Sequence, residues 1–422
     1  MSGINRRTLI AGTGALAGLG SAATLASTRA SAAPDPTTPM LSADRFGAKG
    51  DGRSDDTAAL QKALDRAFAG DKAAYLRIPP GAYRITRTLR IATVHGADGN
   101  ITRGNGILAH GAVILSDIRD GSPVIRLVNE ATLRFTVIEG LGIQGNGGEG
   151  AGLSIDSGRR GTYFYNFCLR DLTVQGCGGT GLELVGNVFE GQVFNSYFRD
   201  NKGNGAVFSH GPENTVLSAV HVFGCVFGGN REQGALIANG AADVGFHGCY
   251  FLLNGKFGLA ATNGCTLLSN CGFENNHQSA ANFAAGDAGL RLLNFGTLVG
   301  CTAYSIYRQT HLVSAYVTGE LTMIGCRASG GGAAKEAKLA KLAGRPDAGI
   351  ALIGCSGGVD RAAGLGAVEL GTGGAGARFG AAWNGADLIQ LGTYRLWVDA
   401  KGRLRIKNGP PHSDEDGTPL GA

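Results

Sequence analysis

One short phrase is restated four times along the chain: FNSYFRDN, FGCVFGGN, HGCYFLLN and SNCGFENN. Each carries an aromatic residue three positions before an asparagine, giving the pairs Phe198/Asn201, Phe227/Asn230, Phe251/Asn254 and Phe273/Asn276, at intervals of 29, 24 and 22 residues. A period of 20 to 30 residues is the mark of a solenoid. Apolar residues alternate inside each repeat, as in Leu182-x-Leu184, so the elements are short strands. Each repeat has room for about three strands and three turns, one coil of a parallel β-helix, and neighbouring coils lie about 4.8 Å apart. At that spacing equivalent residues touch, and like packs on like. The aromatic column is therefore expected inside as a ladder, with the asparagines stacked in a turn where each amide bonds the coils above and below.

The cysteines obey the same period. Cys225, Cys249, Cys271, Cys301, Cys326 and Cys355 recur at 24, 22, 30, 25 and 29 residues, which predicts an internal column of free thiols. These spacings fit neither a zinc site nor a disulfide framework. The 72 glycines, with charged residues at only 17%, suit many short strands joined by tight turns.

Residues 1–32 stand apart. Paired Arg6 and Arg7, a Gly/Ala-rich apolar stretch and the ending Ala30-Ser31-Ala32 resemble a twin-arginine export signal, which predicts a periplasmic or secreted protein with no membrane attachment once the signal is removed. Setting this segment aside lowers the formal charge from +5 to +2, too small to suggest a nucleic-acid partner. Residues 33–95 read as an N-terminal cap and first coils, in which SDDTAALQKALDRAFAG forms a helix capped by Ser54 or Asp55 with Leu60, Leu64 and Phe68 on one face. Residues 96–358 carry the coils, interrupted by an expected Ala/Lys helix within 328–349. Residues 359–422 form a C-terminal cap with a hairpin turned at Ala400-Lys401-Gly402.

The run RFGAKGDGRSDDTAALQKALDRA, followed by YLRIPPGAYRIT, resembles the opening of the pectate-lyase-like superfamily related to glycoside hydrolase family 28. The resemblance implies an all-β, single-stranded right-handed parallel β-helix, and a polysaccharide as the partner of a lyase, hydrolase, epimerase or tailspike depolymerase. The C-terminal stretch is similar to that of some phage-like members, so a homotrimer stands beside a monomer. The acid pair of family 28 polygalacturonases falls near Gly203-Asn204 and their histidine near Gln233; neither residue type is kept.

Three groups of residues carry candidate chemistry. Lys202, Arg231 and His277 directly follow ladder asparagines and Lys256 lies two after another, so stacking predicts a basic stripe. Lyases of uronic-acid polymers need cations to neutralise the C6 carboxylate and a base to remove the C5 proton. Hydrolysis instead needs two facing carboxyl groups, for which Glu183, Glu190, Asp200, Glu213, Glu232, Asp243 and Glu274 are the coil-middle candidates, Asp200 and Glu232 foremost; calcium bridged by Asp200 and Glu232 to an acidic sugar is the one cofactor option. The insertion SHGPENT offers His210 and Glu213 as acid/base partners, while Tyr163 and Tyr165 are candidates for holding sugar. The expectation is an exported polysaccharide lyase, with a glycoside hydrolase or a non-catalytic carbohydrate-binding protein as the alternatives.

Overall fold

The computed structural model describes residues 39–68, 74–93, 102–129, 132–158, 161–211, 215–238, 241–261, 265–276, 288–292, 295–305, 311–330, 338–345, 348–362, 367–370, 378–380, 388–391, 394–399, 401–409, 411–413 and 415–420. The export segment at 1–32, Glu213 and His277 lie outside them. Residues 36–422 form one compact unit.

Its body is a right-handed parallel β-helix whose coils present three faces. In one central coil the first face ends at Phe194 in the strand Val188–Phe194, the second is Tyr197–Arg199 and the third is Ala206–Ser209. The next coil repeats these as Leu217–Phe223, Val226–Gly228 and Ala235–Ala238. Between these two coils each pair is parallel and in register on the core residues, Val193 on Val222 on the first face and Phe198 on Phe227 on the second. The third face is a sheet of eleven strands from Leu89–Thr93 to Val359–Arg361.

The repeated phrase builds the interior as its spacing requires. Phe198, Phe227, Phe251 and Phe273 stack with ring centroids 5.4, 5.0 and 4.8 Å apart. The asparagines form a buried ladder in which Asn201 Nδ2 donates to Asn230 Oδ1 at 3.0 Å and Asn230 Nδ2 to Asn254 Oδ1 at 3.0 Å. Asn254 Nδ2 donates to Asn276 Oδ1 at 2.9 Å. Each amide also reaches a strand carbonyl, Asn230 Nδ2 to Phe198 O for example, so hydrogen bonds that strand pairing cannot supply at the turn are made by side chains. Cys225, Cys249, Cys271, Cys301 and Cys326 are buried free thiols, and Cys355 ends the column half-buried.

The two ends are built differently. The helix Thr57–Phe68 buries Leu60, Leu64 and Phe68 in the core at the N-terminal end, with Asp55 Oδ1 accepting the Thr57 amide. At the other end an antiparallel four-stranded sheet includes the expected hairpin, Tyr394–Val398 paired with Leu404–Asn408. One expectation fails here: Lys338–Gly344 is a strand of the third face, paired with His311–Val317, and no part of it is helical. Alternation decides against helix propensity, because Leu339, Ala340 and Leu342 fill the core of a continuing coil.

Candidate functional site

Outward positions on the first face are fixed by the cysteine column. The second residue before each cysteine points out, which gives the row Phe223, His247 and Ser269; the fourth gives His221, Gly245 and Leu267. His221 leans across Gly245 to meet His247, with Nδ1 of His221 3.3 Å from Nε2 of His247. Nδ1 of His247 lies 2.8 Å from Ser269 Oγ. Gly245 makes this approach feasible, since a β-carbon there would sit 2.6 Å from His221 Nδ1 and 2.9 Å from His247 Nε2. Below the pair, Phe194 stacks on Phe223 at 4.9 Å and Phe223 on the His247 ring at 4.8 Å, forming an apolar floor.

Burial in this row holds both imidazoles below their ordinary value, opposed at His221 by nearby Asp243 and reinforced at His247 by the charge of His221. Near neutral pH both are therefore uncharged. Two arrangements of protons satisfy the chain: in the first, His221 Nδ1–H donates to His247 Nε2 and His247 Nδ1–H donates to Ser269 Oγ; in the second, each of these bonds runs the other way. The first leaves the lone pair of His221 Nε2, which has no bonded partner among the described residues, as a base, and the second puts an N–H there.

Two further clusters lie on earlier coils. His110 and Arg170 clasp the Glu139 carboxylate from either side at 2.7 and 2.6 Å; Arg170 lies three coils below His247 in the register Arg170, Phe194, Phe223, His247, and Glu139 four. Beside them Tyr163 and Tyr165 stack at 5.5 Å, the Arg134 guanidinium sits 4.6 Å from the centre of the Tyr165 ring, and Phe189 is tilted against both tyrosines. Along the edge of the first face, left-handed backbone positions carry Glu190, Ala219 and Asp243 on successive coils. The two acids are thus about 10 Å apart along the axis, with only a methyl group between them. Glu190 accepts a hydrogen bond from Asn166 Nδ2 at 2.6 Å and Asp243 one from Ser218 Oγ at 3.4 Å.

The residues singled out in the sequence sit elsewhere. Lys202, Arg231 and Lys256 do line the turn after the second face, but Lys202 Nζ donates to Gly147 O at 2.8 Å and Lys256 is ion-paired with Glu232. Arg231 is exposed. Asp200 is paired with Arg199 at 2.8 Å. His210 lies at the end of the third face, with Nε2 buried and without a partner among the described residues; burial lowers its basicity. None of these shares the outward row of His221 and His247. Among the described residues no group of three or more His, Cys, Asp or Glu side chains is placed to hold a metal ion, and no helix is long and apolar enough to cross a membrane.

Comparison with known proteins bears on this geometry. The family described as capsule depolymerase matches residues 113–422, and that described as rhamnogalacturonase A/epimerase, pectate lyase-like, matches residues 40–105. The mannuronan C5-epimerase AlgE6 of Azotobacter vinelandii is 33% identical over 147 residues, which is 35% of this chain and 13% of that protein's length. Among solved structures, ORF18 of Geobacillus virus E2 superposes with a TM-score of 0.63 at 16% identity, covering 90% of this chain and 75% of its own. Tailspike protein 2 of an Escherichia coli O157:H7 bacteriophage gives a TM-score of 0.49 at 12% identity, covering 79% of this chain and 39% of its own.

Proposed function

The chain belongs to the capsule depolymerase family, and from that premise we propose that it cleaves an acidic, uronic-acid-containing polysaccharide by β-elimination, with His221 as the base. The observation that carries this reading is the His221–His247–Ser269 chain on the outer face of the central coils, held uncharged and aimed outward. His221 Nε2 takes the proton from C5 of a uronate. The electron pair forms the C4–C5 double bond as the C4–O bond breaks, the departing oxygen takes a proton from water, and the imidazolium of His221 returns the C5 proton to the resulting hydroxide, so atoms and charge balance with water alone. The imidazolium formed on His221 is stabilised through its Nδ1–H bond to His247, which accepts it at Nε2 while its own Nδ1–H rests on Ser269 Oγ. Phe194 and Phe223 supply apolar surface beneath the sugar. The matched stretch of a C5-epimerase supports the same reading, because inversion at C5 also begins with loss of that hydrogen. The twin-arginine segment would place the reaction outside the cytoplasm.

Hydrolysis is the second reading, favoured by one feature: Ala219 leaves a gap between Glu190 and Asp243 on the edge beside His221. Their backbone spacing of about 10 Å lies near the range of inverting carboxyl pairs. A panel of acidic and neutral polysaccharides, followed by ultraviolet absorbance and reducing ends together, separates the readings. Absorbance rising with reducing ends, and lost in His221→Ala, is the expected result. Reducing ends alone, lost in Glu190→Gln or Asp243→Asn, would replace elimination with hydrolysis, and saturable binding without either signal would make the protein a carbohydrate binder.

A further inference from the structure

The corner between the first and second faces is a column of left-handed backbone positions, filled by Asn195, Gly224, Gly248, Asn270, Gly300 and Gly325 on successive coils. At Gly224 and Gly248 a β-carbon would meet nothing within 4 Å. The asparagines bounding these two coils lean away from them. Asn195 Nδ2 donates to Asp171 at 2.7 Å, one coil down, and a β-carbon at Gly300 would lie 2.6 Å from Asn270 Oδ1, one coil up. The ridge is therefore notched to bare backbone at the two coils that carry His221 and His247.

Across that notch, three residues after His247, lies Tyr250. Its ring covers Gly272 on the next coil, where a β-carbon would overlap ring carbons, and its hydroxyl donates to Glu274 Oε2 at 2.8 Å. Burial and the Glu274 carboxylate push the phenol up to about 12, so it remains a donor. A ring laid over a glycine and tethered at its far end turns a face outward, and Tyr250 is 41% exposed. A flat aromatic face beside a carboxylate matches a pyranose, whose axial C–H groups pack on the ring while its hydroxyls bond the acid.

We propose that the substrate chain crosses the ridge at the Gly224–Gly248 notch, so that with one uronate over His221 a neighbouring sugar stacks on Tyr250. The polymer then follows the direction of the strands, crossing the axis instead of running along it. This assignment rests on the reading of His221 as the base, and it adds a subsite on the second face.

Asparagine is the discriminating substitution, because Asn195 and Asn270 already hold the same left-handed conformation in this column. Affinities for mannuronate and galacturonate hexasaccharides, measured by calorimetry, are compared for the wild type, Gly248→Asn, Tyr250→Ala and Gly325→Asn, with His221→Ala beside them. Gly325 is equally open but three coils away. The expected result is a loss of about tenfold or more in Gly248→Asn and Tyr250→Ala, with Gly325→Asn unchanged and His221→Ala still binding but inert. Wild-type affinity in both notch variants, or an equal loss in Gly325→Asn, overturns the crossing while leaving the base assignment standing. A wild type that binds neither hexasaccharide overturns the uronate reading and the crossing with it.

Discussion

Gly245→Ala tests the site with a single added methyl group. Gly245 lies outside the left-handed region, so alanine introduces no backbone strain, and the shorter list of unfolded conformations would stabilise the fold by about 0.4–1 kcal/mol. The methyl, however, would stand 2.6 Å from His221 Nδ1 and 2.9 Å from His247 Nε2, inside the 3.3 Å bond that joins them. Both rings lie on the outer face and can swing apart, so the cost falls on geometry more than on stability. A displacement of about 1 Å at a reacting group costs about 100-fold in rate. The expected outcome is a fall in kcat of about that size with the melting temperature held within a few degrees. Imidazole titration by NMR supplies a second readout. Separation removes the charge of His221 from His247 and rehydrates both rings, so their pKa values should rise toward about 6.5. The sign is also visible in stability: groups held below their unfolded value give full stability above about pH 6.5 and lose it as pH falls toward the folded values, and Gly245→Ala should flatten that acid decline. Wild-type kcat with unmoved histidine titrations would refute the pair as the reacting centre.

Three other expectations follow from the fold. Asn230→Ala leaves the Asn201 amide, the Phe198 carbonyl and Asn254 Oδ1 short of buried partners, a loss of about 3 kcal/mol; denaturant unfolding that moves by less than about 1 kcal/mol would mean that water replaces the ladder. Burial at Cys249, and at Cys271 and Cys301 the hydrogen bond to the preceding cysteine of the column, push these thiols up to about 12, so they should resist a thiol reagent in the folded protein and react fully in denaturant, with no change in gel mobility on reduction; fast labelling of the folded protein would contradict the buried column. Lys202→Ala combined with Arg231→Ala should leave turnover within about threefold, since neither shares the row of His221; abolished turnover would return the chemistry to the turn after the second face.

The fold was legible because a β-helix writes its interior as repetition. Stacked coils admit only like beside like at about 4.8 Å, so Phe198, Phe227, Phe251 and Phe273 announce the core and Asn201 to Asn276 announce the turn. The segment 338–344 misled because its Lys/Ala/Leu content favours a helix in isolation, whereas a continuing coil offers Leu339, Ala340 and Leu342 a core that a lone helix would lack. Lys202, Arg231 and Lys256 drew attention for the same reason as the asparagines: they repeat. In the structure the last of them is consumed by Glu232 and the first by a backbone carbonyl.

The groups proposed to react had a signal of the opposite kind. Aligned on their cysteines, VHVFGC, VGFHGC and TLLSNC place Phe223, His247 and Ser269 in one outward row and His221, Gly245 and Leu267 in the other. Neither row is uniform. A column that only has to pack gains by uniformity, but a proton relay needs a donor, an acceptor and room for both at successive heights, so a glycine must interrupt the row where two imidazoles converge. The same holds at the corner, where Asn195 and Asn270 bracket two glycines that support no side chain. On a solenoid, then, repetition identifies what holds the coils together, and the positions where an outward column breaks its own rule are where a substrate can be met.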